Sequence, residues 1–129
     1  MQIETAKDLV VYKVGYQVAM EVFEISKTFP SEEKFALTSQ IRRSSRSVCL
    51  NLREAWAKRR YEPHFFSKLT DCDGENGETD TLLDFAKDNK YISDAEHAEL
   101  TAKCVSIGKK LGAMLLNPAP FLISDRPDR

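Results

Sequence analysis

Residues 40–60 read QIRRSSRSVCLNLREAWAKRR, with seven basic side chains (Arg42, Arg43, Arg46, Arg53, Lys58, Arg59 and Arg60), one acid, Glu54, and no Gly or Pro to interrupt a helix. At ~100° per residue, Ile41, Ser44, Val48, Leu52 and Ala55 gather on one side, while Arg42, Arg46, Arg53 and Arg60 fall within roughly 40° of one another elsewhere. The stretch is therefore expected to be one helix carrying an apolar seam and an arginine stripe. Such a stripe has two readings. Arg pairs bidentately with phosphate and stays charged at any working pH, which suits a surface that tracks a nucleic-acid backbone. It equally suits a solvated face, or ion pairs with a neighbouring helix. Spacing alone does not separate them.

Going backward, the seam continues through Leu37, and Ser31 with Glu32 and Glu33 after it reads as an N-cap with acids in the first turn. The second helix is thus expected from about Glu32 to Arg59, roughly 40 Å long. Phe29-Pro30 closes a first helix, expected from about Asp8 to Thr28, with Tyr12, Tyr16, Ala19 and Phe23 at steps of three and four and Val11, Val18, Val22 and Ile25 flanking them. Residues 1–7 form a polar lead-in. Beside the second-helix seam lie Ser44, Ser47 and Asn51, which suit close helix approach with locally satisfied polar groups, or less simply a ligand pocket.

Going forward, Tyr61-Glu62-Pro63 breaks the chain, and Pro63 suits the first turn of a third helix. Gly74 and Gly77 stand among turn formers, but Phe65, Leu69, Cys72, Asn76, Thr79, Leu83 and Ala86 keep four-three spacing through both. The spacing predicts one continuous helix over about 63–90, weakened by about 1 kcal/mol per Gly. Asp71, Asp73 and Glu75 imitate the start of a calcium loop, yet Asn76 stands where that loop needs Gly and Leu82 where it needs Glu. As helix, the segment carries seven acids between 71 and 88 against the single base Lys87. Asp71, Glu75 and Glu78 are therefore candidate partners for the arginines, within one chain or between subunits. Ser93-Asp94-Ala95-Glu96 is a capping box that opens a fourth helix running to about Leu116, with Leu100, Cys104, Ile107, Leu111 and Met114 on its seam. Residues 117–129 form a Pro-containing tail whose Phe121-Leu122-Ile123 is suited to dock on the bundle or on a partner.

Four helices of about 20 to 28 residues with short connections make an all-α, antiparallel up-down-up-down bundle, spanning residues 8–116 as one domain. With 19 basic and 20 acidic residues the net charge is -1, so any nucleic-acid role must come from a local patch. Cys49, Cys72 and Cys104 form no CxxC and an odd count, which argues against a disulfide scaffold or a zinc site. No basic-then-apolar leader opens the chain and no run approaches a membrane span, so a cytoplasmic protein is expected. The two histidines, His64 and His97, lack the Glu-x-x-His spacing of a di-iron bundle. No phosphate loop, nucleophile elbow or Cys–His motif is present, so neither catalysis, a cofactor nor a metal is expected. Trp56 falls near the arginine stripe, as a stacking platform for bases or an anchor at a protein interface.

Phe29-Pro30, the run Gln40-Ile41-Arg42-Arg43-Ser44-Ser45 with Ser47-Val48, and Asn51-Leu52 with Glu54-Ala55 resemble the four-helix-bundle proteins named from intervening sequences in bacterial 23S ribosomal RNA genes. The later run Lys68-Leu69-Thr70-Asp71, with Asp73-Gly74-Glu75-Asn76, Glu78-Thr79 and Leu83-Asp84-Phe85-Ala86, is similar to one branch of that family. The resemblance covers roughly residues 8–116. It implies an antiparallel bundle assembling into a ring, usually a homopentamer, and a kinship with the accessory variability determinant of retroelements, which binds nucleic acid and a reverse transcriptase. It implies no catalytic residue. The expectation is a non-enzymatic oligomer that contacts RNA or DNA phosphates through Arg42, Arg46, Arg53, Lys58, Arg59 and Arg60, with a protein partner beside it; the alternative is an assembly module whose arginines pair with Asp71, Glu75 and Glu78.

Overall fold

The helices form where an apolar seam can be buried, and they stop where it runs out. A computed structural model describes residues 3–123. Its helices are α1 (Val10–Ser26), α2 (Leu37–Ala57), α3 (Glu62–Asp88) and α4 (Asp94–Leu116), with short 3-10 turns at Ala6–Asp8, Ser31–Glu33 and Ala119–Phe121 and no strand among the described residues. Each helix packs on its two neighbours around the bundle, most extensively α2 on α3. Cross-helix pairs run in opposite order: Ser44 meets Thr79 while Glu54 meets Lys68, and Asn76 meets Cys104 while Asp84 meets His97. The bundle is antiparallel and all-α.

The seams expected for α2, α3 and α4 are all buried, from Leu37 through Ala55, Phe65 through Ala86 and Leu100 through Met114. α3 runs unbroken through Gly74 and Gly77. The Ser93 hydroxyl accepts the Glu96 N–H at 3.0 Å, and the Glu96 carboxylate accepts the Ser93 N–H at 2.8 Å, so the capping box opens α4 as its sequence requires. α3 ends in a Schellman turn, in which the Lys90 N–H donates to the Lys87 carbonyl at 2.9 Å and the Tyr91 N–H to the Ala86 carbonyl at 2.8 Å. Lys90 takes the left-handed conformation there, at φ 65°. It fills a position that Gly usually occupies.

One helix start and one helix face differ from expectation. α2 begins at Leu37 rather than Glu32, because the positions that would extend its seam by a turn are the charged Glu33 and Lys34, and burial does not support the added turn. Ser31 accordingly caps nothing in α2. The Glu33 carboxylate takes that role, accepting the Leu37 N–H at 3.3 Å and the Tyr91 hydroxyl at 2.9 Å, which ties the start of α2 to the α3–α4 connection. In α1 the buried line is Val11, Gly15, Val18, Val22 and Ser26, and the tyrosines lie beside it. Gly15 decides this rotation: a Cβ there would stand 3.0 Å from Val48 Cγ1, so its absence lets α1 close on α2.

After α4, Phe121 and Leu122 pack against the core, and the Ile123 N–H donates to the Arg59 carbonyl at 3.3 Å. The apolar part of the tail therefore docks on the bundle, at the C-terminal end of α2. The polar stretch 124–129 lies outside the described residues.

Candidate nucleic-acid interface

The seam of α2 fixes where its basic residues point. With Ile41, Val48 and Leu52 in the core, the opposite face turns outward beside α1, and Arg46, Arg53, Lys58 and Arg60 are exposed along it and just beyond its end. Arg42 and Arg59 are half-buried. Arg42 Nε donates to the Ser26 hydroxyl at 2.7 Å, and its guanidinium lies 4.8 Å from the Phe23 ring centre, with that of Arg46 at 5.8 Å from the same ring. One aromatic ring of α1 thus holds two arginines of α2 in place by cation–π attraction.

At the other end, the Arg59 guanidinium lies 3.8 Å from the Trp56 ring centre, and its Nε donates to the Trp56 carbonyl at 3.1 Å. Burial first, and the positive charge of Arg60 second, hold the Arg59 pKa below the usual arginine value. It remains a cation at neutral pH. Arg53, Arg59 and Arg60 share a ≈ 300 Å³ recess with Trp56, Ile123 and one acid, Glu4. No carboxylate among the described residues lies within 4.0 Å of the charged groups of Arg42, Arg46, Arg53 or Arg59.

The arginine that does meet the acids of α3 is Arg43, on the far edge of the outward face. It pairs with Glu75 at 2.8 Å and with Glu78, and the Glu75 hydrogen bond first among several causes raises its pKa. Asp71 lies 3.7 Å from Lys68, which itself pairs with Glu54 at 2.9 Å. The three expected acids therefore engage Arg43 and Lys68, not the stripe. Charge is segregated, with basic groups on the outer side of α2 and acids along α3, which reconciles a local basic patch with a net charge of -1.

Trp56 differs from expectation. Its side chain belongs to the core and is 8% exposed, on a flank of α2 that shares a recess with Thr5, before α1, and with Ile123 of the docked tail. With one face covered by Arg59, it offers no open platform for a base. An aromatic surface beside the outer face of α2 lies instead on α1, where the Tyr12 and Tyr16 rings stack at 6.4 Å with 18° between planes and border a ≈ 490 Å³ cleft that reaches Arg46 and Leu50. The sequence reading placed those tyrosines on the apolar repeat of the first helix. The signal available was that α1 carries apolar residues on more than one stripe, and one helix in a small bundle cannot bury both.

Ser47 and Asn51 bond to the carbonyls of Arg43 and Ser47 within their own helix, at 2.8 and 3.0 Å, so their polar groups are satisfied locally, and Ser47 also lines an open ≈ 540 Å³ hollow with Phe35, Arg42, Arg43 and Arg46. Burial pushes the Cys49 thiol up to about 11 and Cys104 to about 12, and raises Cys72 as well. Such thiols are poor nucleophiles at neutral pH. His97 meets Asp84 at 2.7 Å, whereas exposed His64 packs edge-on against Tyr61. Among the described residues no three His, Cys, Asp or Glu side chains are grouped to hold a metal, and no helix is long and apolar enough to cross a membrane.

The family model of the 23S rRNA-intervening sequence protein matches residues 7–113. The chain belongs to this family. A solved structure of a protein of unknown function from the S23 ribosomal protein family of Bacteroides thetaiotaomicron superposes with a TM-score of 0.76 at 27% identity, over 86% of this chain and 99% of that one. None of the curated proteins matches the sequence. The intervening-sequence family has no established biochemical function, and its match brings no assigned activity to these residues.

Proposed function

We propose that this intervening-sequence protein is a non-enzymatic, oligomeric bundle that binds the phosphate backbone of RNA or DNA through the outer face of α2, in the company of an enzyme acting on the same nucleic acid. The observation that carries the reading is the strip formed by Arg42, Arg46, Arg53 and Arg59: ring contacts hold Arg42, Arg46 and Arg59, a hydroxyl also holds Arg42, Arg53 is exposed, and no carboxylate among the described residues pairs with any of the four. An arginine already paired with an acid must break that pair to take a phosphate. These four need not. Lys58 and Arg60 extend the positive field past the helix end.

A salt-dependent titration of labelled RNA and DNA tests this. Affinity should fall linearly with the logarithm of salt concentration, and Arg46→Glu together with Arg53→Glu should reduce the slope by about two. Absence of binding at low salt sinks the proposal.

The second reading is an assembly module, and a different observation favours it. The outer face of α3 exposes Phe66 and Phe85 beside Gly74 and Gly77, where nothing lies within 4 Å of a built Cβ, and unpaired Asp73 and Asp88 flank the patch among the described residues. Another copy's arginine strip would complement it. Sedimentation of the Arg46→Glu protein separates the readings, since loss of assembly mass belongs to the second and loss of nucleic acid with the mass kept belongs to the first. The same sedimentation run measures whether the assembly is the pentamer that the family resemblance implies.

A further inference from the structure

The arginine strip does not lie on a purely polar surface. It borders the cleft between α1 and α2 whose walls are Tyr12, Tyr16, Met20, Phe23 and Leu50, with Arg46 at the rim. Tyr16 is 53% exposed, Met20 50% and Leu50 60%. Three large side chains left half open side by side carry a steady solvation cost, which a ligand with flat apolar faces would remove. The ≈ 490 Å³ of the cleft falls in the range of pockets that hold small organic groups.

Its geometry selects among such groups. Tyr12 and Tyr16 already stack nearly parallel, so the outer ring extends an existing stack rather than standing alone. Cys49 Sγ lies 3.6 Å from the Tyr12 carbonyl, which ties the α1 backbone to α2 at the inner, partly buried tyrosine. Cationic groups follow one side of the stack: Arg42 and Arg46 over Phe23, then Arg53 two turns of helix beyond Arg46, about 10 Å along the axis. Aromatic rings beside a line of unneutralised arginines match a chain that alternates flat bases with phosphates. A duplex would present its phosphates to the arginines but keep its bases paired, leaving the cleft empty.

We infer that the ligand of this surface is single-stranded nucleic acid, with at least one unpaired base stacked on Tyr16 in the α1–α2 cleft and the flanking phosphates on Arg42, Arg46 and Arg53. This deepens the backbone-binding proposal and rests on it. Stacking on Tyr16 supplies affinity without reading sequence, because every base has a π-face. The protein therefore discriminates by strandedness.

The test compares three labelled probes on the full-length protein at one salt concentration: a uridine 12-mer, the same backbone with abasic sugars, and a duplex of equal length. The uridine strand should bind about 10-fold tighter than the abasic strand. Tyr16→Ala should remove that advantage, and Tyr16→Phe, which keeps the ring, should retain it. Equal binding of all three probes with Tyr16→Ala silent overturns the inference while leaving backbone binding intact. Failure of every probe to bind at low salt overturns both. Sedimentation of Tyr16→Ala closes the remaining route: a loss of assembly mass means that the cleft is a contact between copies of the chain, and this too overturns the inference.

Discussion

The Ser44 hydroxyl lies 2.8 Å from the Thr79 hydroxyl across the α2–α3 seam, and both side chains are closed off from water. In its own helix the Ser44 hydroxyl also lies 3.4 Å from the Ile41 carbonyl and the Thr79 hydroxyl 3.0 Å from the Glu75 carbonyl, so one hydroxyl donates across the seam while the other donates to its own carbonyl. Removing one hydroxyl leaves the other under-satisfied, at about 1 kcal/mol. Removing both leaves an apolar seam of nearly the same shape. Ser44→Ala and Thr79→Val should each cost about that much in urea unfolding, and the double variant should cost less than their sum by at least roughly 0.5 kcal/mol.

The glycines of α1 and α3 should respond in opposite directions. Gly77→Ala meets nothing within 4 Å and removes a helix-weakening residue, so it should stabilise the monomer by about 1 kcal/mol. Gly15→Val drives a branched side chain into Val48, which is buried and stiff, and should cost about 1–3 kcal/mol. Thermal melts of the two variants check both signs.

Lys90 adopts φ 65° without the freedom that Gly has there. Lys90→Gly relieves about 1 kcal/mol of left-handed strain and keeps both backbone bonds of the Schellman turn. The melting temperature should rise by roughly 4 °C or more for a domain of this size. A fall would show that the Lys90 side chain contributes more than its backbone costs.

The Asp80 pKa is raised in the folded chain, by burial first and by Asp84 second, against a smaller lowering by His97. The fold thus disfavours its charged form. The penalty is absent below the ordinary carboxylate pKa of about 3.9 and is felt in full once pH exceeds the raised folded value. Asp80→Asn should therefore stabilise the protein at pH 7 and leave it unchanged at pH 3, read as paired denaturation curves.

How far the sequence was legible varies by helix, for a physical reason. In α2, α3 and α4 one stripe at three-four spacing is apolar or small, and that stripe is the core. In α1 the true stripe contains Gly15, which does not register as apolar, while the neighbouring stripe contains two tyrosines and a phenylalanine, which do. Close approach of backbones is invisible to a count of hydrophobic residues. Trp56 shows a related limit, because a bundle helix is covered on its flanks as well as along its seam, and Trp56, one turn after Leu52 and about 40° off it, is buried on such a flank. Of the basic stripe, the outward direction was legible from spacing. Its pairing was not, since which arginine meets Glu75 and Glu78 depends on the rotation of α3 as well as α2.

Trp56 is the single tryptophan of the chain, and its ring is covered by the side chain of Arg59, whose carbonyl also holds the docked Ile123. The protein therefore contains its own optical gauge at the end of the arginine strip. An anion that draws Arg59 away exposes one face of the indole to water, and its emission shifts to the red with no label attached. Binding of nucleic acid to the strip, as proposed above, would be readable by ultraviolet light alone, in the unaltered molecule and in real time.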